Sequence, residues 1–182
     1  MTDTRVPGSI LSKAVLALVA SGATAAVILS QFLGEEEGTK YKAYLDGAKV
    51  WTICKGHTQG VRPGQTATPA DCERFFLSDI GVSFNLIDRM VKVPMSEPQR
   101  AGVTSFCTYN NSPANCASST FLKKPNAGDR PGACNEMRRW VFITVDGQKF
   151  DCRTPGNKLC RGIPPRRERE RELCLLGDPP QH

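Results

Sequence analysis

Eight cysteines constrain this chain more than any other feature, because each pair that closes ties two stretches of backbone together. They stand at Cys54, Cys72, Cys107, Cys116, Cys134, Cys152, Cys160 and Cys174, so none precedes residue 54. No two are spaced C-x-x-C, and His57 and His182 are the only histidines, so a zinc site lacks its usual ligand spacing. Disulfides are the better reading, and they require an oxidising compartment such as the periplasm. Eight cysteines allow about 105 complete pairings, among which the sequence does not choose. Cys107 with Cys116 and Cys152 with Cys160 are favoured as local clips, since each closes a short loop rich in Asn, Pro, Gly or Ser. The remainder then pair as Cys54 with Cys72 and Cys134 with Cys174.

A second feature sits ahead of the cysteines. Residues 14–33 form a run of twenty without a charge, enough for roughly 30 Å of helix. Arg5 and Lys13 precede it and Glu35, Glu36 and Glu37 follow it, so the positive-inside rule keeps the N-terminus cytoplasmic and exports the rest. Ten of the twenty positions are Ala, Gly, Ser or Thr, and only nine are strongly apolar. Insertion is therefore marginal, which suits an anchor able to leave the bilayer. A cleaved signal peptide is the alternative, because Ala23-Thr24-Ala25 has the form of a cleavage site, although the apolar stretch outruns an ordinary signal core. At 182 residues the chain accommodates this segment, residues 1–33, and one globular domain, residues 34–182.

The exported part is expected to be α+β and mostly helical, with one small antiparallel sheet near its front. Tyr41, Tyr44, Val50, Trp51 and Ile53 are strand formers, punctuated by Asp46-Gly47, Gly56, Gly60 and Pro63-Gly64. Thr68-Pro69-Ala70-Asp71 announces a helix, with Phe76, Ile80, Phe84 and Ile87 as one apolar stripe. Ser96-Glu97-Pro98-Gln99 opens another that runs through Val103, Phe106 and Cys107. Shorter helices are expected over residues 118–124 and 133–141, and Pro165 opens a last one that stops before Gly177.

Glu37-Gly38, Tyr44, Asp46, Trp51-Thr52 and Gly56-His57-Thr58 resemble the active-site region of phage lysozymes, especially the endolysins of lambdoid phages. That family places an Asp nine residues after a Glu and a Thr six after the Asp, the spacing of Glu37, Asp46 and Thr52. Downstream, Ser105-Phe106, Tyr109-Asn110, Ser119-Thr120-Phe121-Leu122, Arg138-Arg139-Trp140 and Arg161-Gly162-Ile163 continue the resemblance over residues 35–176. After Asn110 the family's Gly-containing turn is replaced by Asn111-Ser112-Pro113-Ala114-Asn115-Cys116. Residues 151–160 read as a cysteine-bounded insertion.

The resemblance implies a lysozyme-like fold and a muramidase that cuts the β-1,4 bond between N-acetylmuramic acid and N-acetylglucosamine, lysing the bacterial host, with inversion at the anomeric carbon. Glycosidic cleavage pairs a carboxylic acid that protonates the leaving oxygen with a carboxylate that acts on water. Glu37 is the expected acid, Asp46 the expected base, and the Thr52 hydroxyl the group that positions the water. Tyr109 and Asn110 are expected substrate contacts. No metal or other cofactor is called for. The anchor resembles the signal-arrest-release segments of some endolysins, implying a monomer exported to the periplasm and first held at the inner membrane by residues 14–33.

Taken singly these residues mean less. An acidic run beside a membrane segment is ordinarily a solvated flank, Asp46-Gly47 an ordinary turn, and Thr52 an ordinary strand residue. His57 has no Ser or Cys nucleophile in a recognisable setting and reads as structural. The net charge of +6, concentrated in residues 130–171, implies an anionic partner. Nucleic acid is one candidate, but there is no zinc-finger or RNA-binding signature and the basic residues are not interleaved with aromatics; teichoic or peptidoglycan carboxylates fit as well, and no nucleic-acid partner is expected. Residues 166–172 read as a solvated helix face with an Arg excess. An inert peptidoglycan-binding protein, and a secreted muramidase or transglycosylase with a cleaved signal, are the competing readings.

Overall fold

A computed structural model describes residues 8–46, 49–108, 113–145 and 147–177, apart from the side chains of Glu37, Pro113 and Ala114. In chain order the elements are α1 (Lys13–Ala20), α2 (Ala25–Glu37), β1 (Lys40–Leu45), β2 (Trp51–Cys54), α3 (Pro69–Met90), α4 (Glu97–Thr108), α5 (Pro113–Ser118), α6 (Thr120–Asn126), α7 (Arg130–Glu136), a 3-10 turn (Met137–Arg139), β3 (Phe142–Val145), β4 (Gln148–Asp151) and α8 (Ile163–Leu175). The α+β, mostly helical expectation holds, with two antiparallel hairpins, β1-β2 and β3-β4, in place of one sheet.

Residues 14–33 form two helices and not the single apolar helix expected. Ser21 ends α1 by donating its N–H to Ala17 O at 2.9 Å, Gly22 turns the chain at φ 72°, and Thr24 re-enters extended before α2. The clustered small residues cause the break, since only glycine reaches positive φ without steric cost. Among the described residues no helix is long and apolar enough to cross a membrane. Instead α1 folds against α2, and Val15, Ile28, Leu29, Phe32 and Leu33 are buried with Phe76, Ile80 and Phe84 of α3, Ala101 of α4 and Leu173 of α8. Each such side chain contributes about 1.5–3 kcal/mol on burial.

Carboxylates from elsewhere fasten this segment. Thr24 makes no side-chain cap, and Glu97 of α4 instead accepts the Ala25 N–H at 2.5 Å, placing an anion at the positive end of α2. Glu172 of α8 accepts from the Ser9 hydroxyl and from the Ile10 N–H at 2.9 Å. Ser12 caps α1 through the Val15 N–H and donates to Glu35 at 2.7 Å.

α3 begins with the predicted cap, in which Thr68 and Asp71 bond reciprocally, and it buries the predicted stripe of Phe76, Ile80, Phe84 and Ile87 together with Cys72. The hydrogen bonds from Thr68 hold the Asp71 carboxyl down at about 2. α4 runs through the interior. A Cβ on Gly102 would lie 2.9 Å from Cys174 N and Glu170 O, so the closeness of α4 to α8 depends on this glycine. Beyond it Phe106 packs on Phe121 and edge-on to Trp140 at 5.3 Å between centroids.

α8 departs from the solvated face read in its sequence. Arg166, Arg167 and Glu170 are buried, both guanidinium groups bond to the Glu170 carboxylate, and the Ser105 hydroxyl donates to it at 2.7 Å. Arg167 also reaches Trp140 O at 3.1 Å and lies over the Phe106 ring. A buried charge requires such pairing, which a helical periodicity of apolar residues does not reveal.

All four favoured disulfides form. Their Cα separations are 5.2 Å for Cys54–Cys72, 5.4 Å for Cys107–Cys116, 5.7 Å for Cys134–Cys174 and 5.2 Å for Cys152–Cys160. The Cys152–Cys160 clip encloses a loop in which Asn157 bonds both Cys152 O and Cys160 N–H.

Candidate active site

α2 delivers Glu37 as its last residue, and Gly38, at φ 64°, turns the chain out of the helix and into β1. The expected acid thus sits at the junction between the N-terminal core and the β1-β2 lobe. Its two acidic neighbours are engaged. Glu35 accepts from Ser12 and from Gln31 Nε2 at 2.7 and 2.6 Å. Glu36 makes a two-point ion pair with Arg169 of α8 at 2.5 and 2.8 Å. These contacts fix the last turn of α2 from both sides.

Strand register brings the other two expected residues onto one face. β1 and β2 pair Tyr44 with Thr52 and Leu45 with Trp51, and the register continues where the Asp46 N–H donates to Val50 O at 3.0 Å. Asp46 opposite Val50 and Thr52 opposite Tyr44 are therefore diagonal neighbours on the same side of the hairpin, a spacing of about 7–8 Å. The half-buried Asp46 takes the Val50 N–H on Oδ1 at 2.8 Å, which orients its carboxylate. Thr52 is buried, and its hydroxyl donates to Val50 O at 3.1 Å, leaving its lone pairs to accept from a water.

The lobe is held to α3 by the turn after β2. Cys54, at φ 60°, and Gly56, at φ 95°, reverse the chain so that Ile53 and His57 exchange backbone hydrogen bonds at 2.9 and 3.0 Å. Cys54 is tied to Cys72, Lys55 pairs with Glu73 at 3.7 Å, and His57 stacks on Phe75 at 4.4 Å with Nδ1 2.9 Å from Asp79 Oδ2. His57 is thus held between the turn and α3, while Trp51 packs on the small core of Ala43, Ile53, Cys54 and Cys72.

Between this turn and the middle of α3 lies a cavity of about 340 Å³ whose lining includes Thr58, Gln59, Asp79, Ser83 and Thr108. Its hydroxyl, amide and carboxylate groups suit sugar hydroxyls. Tyr109 and Asn110, the expected substrate contacts, follow Thr108 directly in the chain but lie outside the described residues. No group of three or more His, Cys, Asp or Glu that could hold a metal ion occurs among the described residues.

The phage lysozyme family profile matches residues 34–170. The chain belongs to the phage lysozyme family. It is accordingly a glycoside hydrolase of the lysozyme type. This lysozyme is 44% identical over 171 residues to the SAR-endolysin of Escherichia phage 933W, covering 92% of this chain and 94% of that one. With the SAR-endolysin of Escherichia phage N15 the identity is 46% over 169 residues, covering 90% and 93%. Among solved structures, the endolysin from Escherichia coli O157:H7 phage FAHEc1 superimposes with a TM-score of 0.70 at 26% identity, covering 85% of this chain and 92% of that chain. The lysozyme-like fold expected from the sequence is thereby borne out.

Proposed function

We propose that this phage endolysin hydrolyses the N-acetylmuramic acid to N-acetylglucosamine bond of peptidoglycan with Glu37 as general acid, Asp46 as the carboxylate acting on water, and Thr52 as the group that positions that water. The observation that carries this reading is the hairpin register, which sets Asp46 and Thr52 side by side in the lobe that begins three residues after Glu37. Glu35 and Glu36 are occupied in fastening α2, so the division of labour falls to Glu37. The mixed polar lining between lobe and α3 receives the glycan, and Tyr109 and Asn110, next in the chain after Thr108, add substrate contacts.

The chemistry follows from these placements. The acid donates its proton to the glycosidic oxygen as the C–O bond breaks, and positive charge develops at the anomeric carbon. Water held by Thr52 adds to that carbon while Asp46 takes its proton, so hydroxide is transferred and both carboxyl groups are reset by proton exchange. Mass spectrometry of the products tests the assignment. Reducing muramic acid ends are expected; anhydro ends would make the protein a transglycosylase.

Residues 14–33 serve the same protein in two settings. In the first they tether the chain to the inner membrane with the N-terminus cytoplasmic and residues 34–182 in the periplasm; in the second they leave the bilayer and become α1 and α2. Support comes from the uncharged run, from the relatives named SAR-endolysins, and from the burial of the segment's apolar face in the enzyme core. Because Glu37 ends α2, the helix must dock before the acid is in place. Collapsing the membrane potential should move intact protein from the membrane fraction to the soluble one with a rise in muramidase activity. Unchanged activity with the protein still bound would overturn this part.

A further inference from the structure

The last turn of α2, Gly34-Glu35-Glu36-Glu37, sets three carboxyl groups at the negative end of a helix and contains no basic residue. Acids in that place oppose the helix dipole, so the turn that ends on Glu37 needs cations from other parts of the fold. Arg169 of α8 supplies one through Glu36, while Glu35 takes the neutral donors Ser12 and Gln31. A second cation comes from the turn after β2. A Cβ on Gly34 would lie 3.7 Å from the Lys55 Nζ, so the ammonium rests against α2 three residues before Glu37.

Lys55 is not an ordinary surface lysine. Its side chain is only 16% exposed, and its ammonium lies 4.6 Å from the centre of the Phe76 ring. Lysines are seldom withdrawn so far from water unless their charge is answered. Glu73, 3.7 Å away, does not account for the burial, because that separation exceeds a hydrogen bond and the Glu73 side chain is 50% exposed. The backbone that aims Lys55 is fixed on both sides. Its neighbours Cys54 and Gly56 hold the left-handed conformation of the reversal, Ile53 and His57 exchange hydrogen bonds across it, and the Cys54–Cys72 disulfide ties it to α3. Gly34 leaves the space that the ammonium fills. The polar cavity beside this turn is lined by Gly56 and Thr58 but not by Lys55, which faces α2 and α3 instead.

We infer that Lys55 is a positioning residue for the catalytic acid, its ammonium supplying countercharge to the last turn of α2 from a seat between Gly34 and Phe76. The inference rests on the assignment of Glu37 as that acid. Lys55 follows β2 directly, so the same contact joins the lobe that carries Asp46 and Thr52 to the helix that carries Glu37. The two halves of the catalytic set are thereby fixed relative to each other, and a small displacement of a reacting group is costly in rate.

The test measures kcat and KM on soluble glycan strands for wild type, Lys55→Met, Lys55→Gln, Lys55→Arg, Glu73→Gln and Glu37→Gln, each first shown to be folded by its melting transition. Both neutral replacements of Lys55 are expected to lower kcat about three- to tenfold at unchanged KM, and Lys55→Arg to restore most of the loss. Glu73→Gln removes the ion pair but leaves the ammonium against α2, so its kcat is expected within about twofold of wild type. An equal loss in Glu73→Gln would overturn the inference, because Lys55 would then merely tie the lobe to α3. A raised KM with unchanged kcat in the Lys55 variants would overturn it as well. Wild-type kcat in both neutral variants beside an inactive Glu37→Gln refutes the role of Lys55 alone, whereas an active Glu37→Gln removes the acid assignment and this inference together.

Discussion

Phe32 and Val27 both belong to the uncharged N-terminal run, yet the folded enzyme treats them oppositely. Phe32 is 1% exposed among Phe76, Ile80 and Phe84, whereas Val27 is 47% exposed on the outer side of α2. Phe32→Ala removes a fully buried ring and leaves a cavity in the core shared by α2 and α3, at a cost of about 3–5 kcal/mol. That is a large part of a total stability of about 5–15 kcal/mol, and for a domain of this size it lowers Tm by roughly 6–20 °C. Val27→Ala changes little packed surface and should stay within about 0.5 kcal/mol of wild type. Urea and thermal unfolding of the soluble, oxidised full chain measures both. If the two variants were equally stable, the run would not be part of the enzyme core, and the two-setting account of residues 14–33 would fall with it.

Glu170→Ala strips the shared carboxylate from Arg166, Arg167 and Ser105 and leaves two buried positive charges without the anion that balances them, so a loss of about 3–5 kcal/mol is expected in the same unfolding assay. Replacing Cys134 and Cys174 together by Ala opens a closure of 40 residues between α7 and α8, worth about 4 kcal/mol, read as a drop in denaturation midpoint. Glu136 is held below 4.5 chiefly by its hydrogen bond from Lys124, helped by the charges of Arg139 and Lys124. A carboxyl whose folded pKa is depressed stabilises fully above its unfolded value and loses that contribution as pH falls through the folded one. Thermal melts from about pH 6 to about pH 3 should therefore decline more steeply for wild type than for Glu136→Gln.

Much of this was readable from residue order. The α3 stripe repeats at helical spacing behind a Thr-Pro-Ala-Asp start, and that spacing survives burial unchanged. Two disulfides were readable because they join cysteines only 9 and 8 residues apart, whereas the partners of the other four cysteines, at separations of 18 and 40, are fixed by how α3, α7 and α8 pack. The spacing of Glu37, Asp46 and Thr52 lies in the sequence, but the pairing of Asp46 and Thr52 on one face of the hairpin follows only from the strand register. What escaped has identifiable physical causes. The break at Ser21 and Gly22 is invisible to a count of apolar residues, since the small uncharged residues that extend the run also include the glycine whose positive φ ends α1. The β3-β4 hairpin did carry a signal, Phe142-Ile143-Thr144-Val145 followed by Asp146-Gly147, but its second strand, Gln148–Asp151, is too polar to read as a strand by itself. The burial of Arg166, Arg167 and Glu170 depends on Ser105 and Trp140, far away in sequence, and no local pattern on α8 encodes it.

The central claim is that Glu37, and neither of its acidic neighbours, protonates the glycosidic oxygen. Turnover of soluble glycan strands by Glu37→Gln, Glu35→Gln and Glu36→Gln, each first shown to be folded by its melting transition, tests it most directly. The account predicts a loss of about 10³-fold or more in kcat for Glu37→Gln, and for the other two a lowered stability with kcat within about tenfold of wild type. A Glu37→Gln protein that turns over at the wild-type rate, or a Glu36→Gln protein that is folded and inactive, would contradict it.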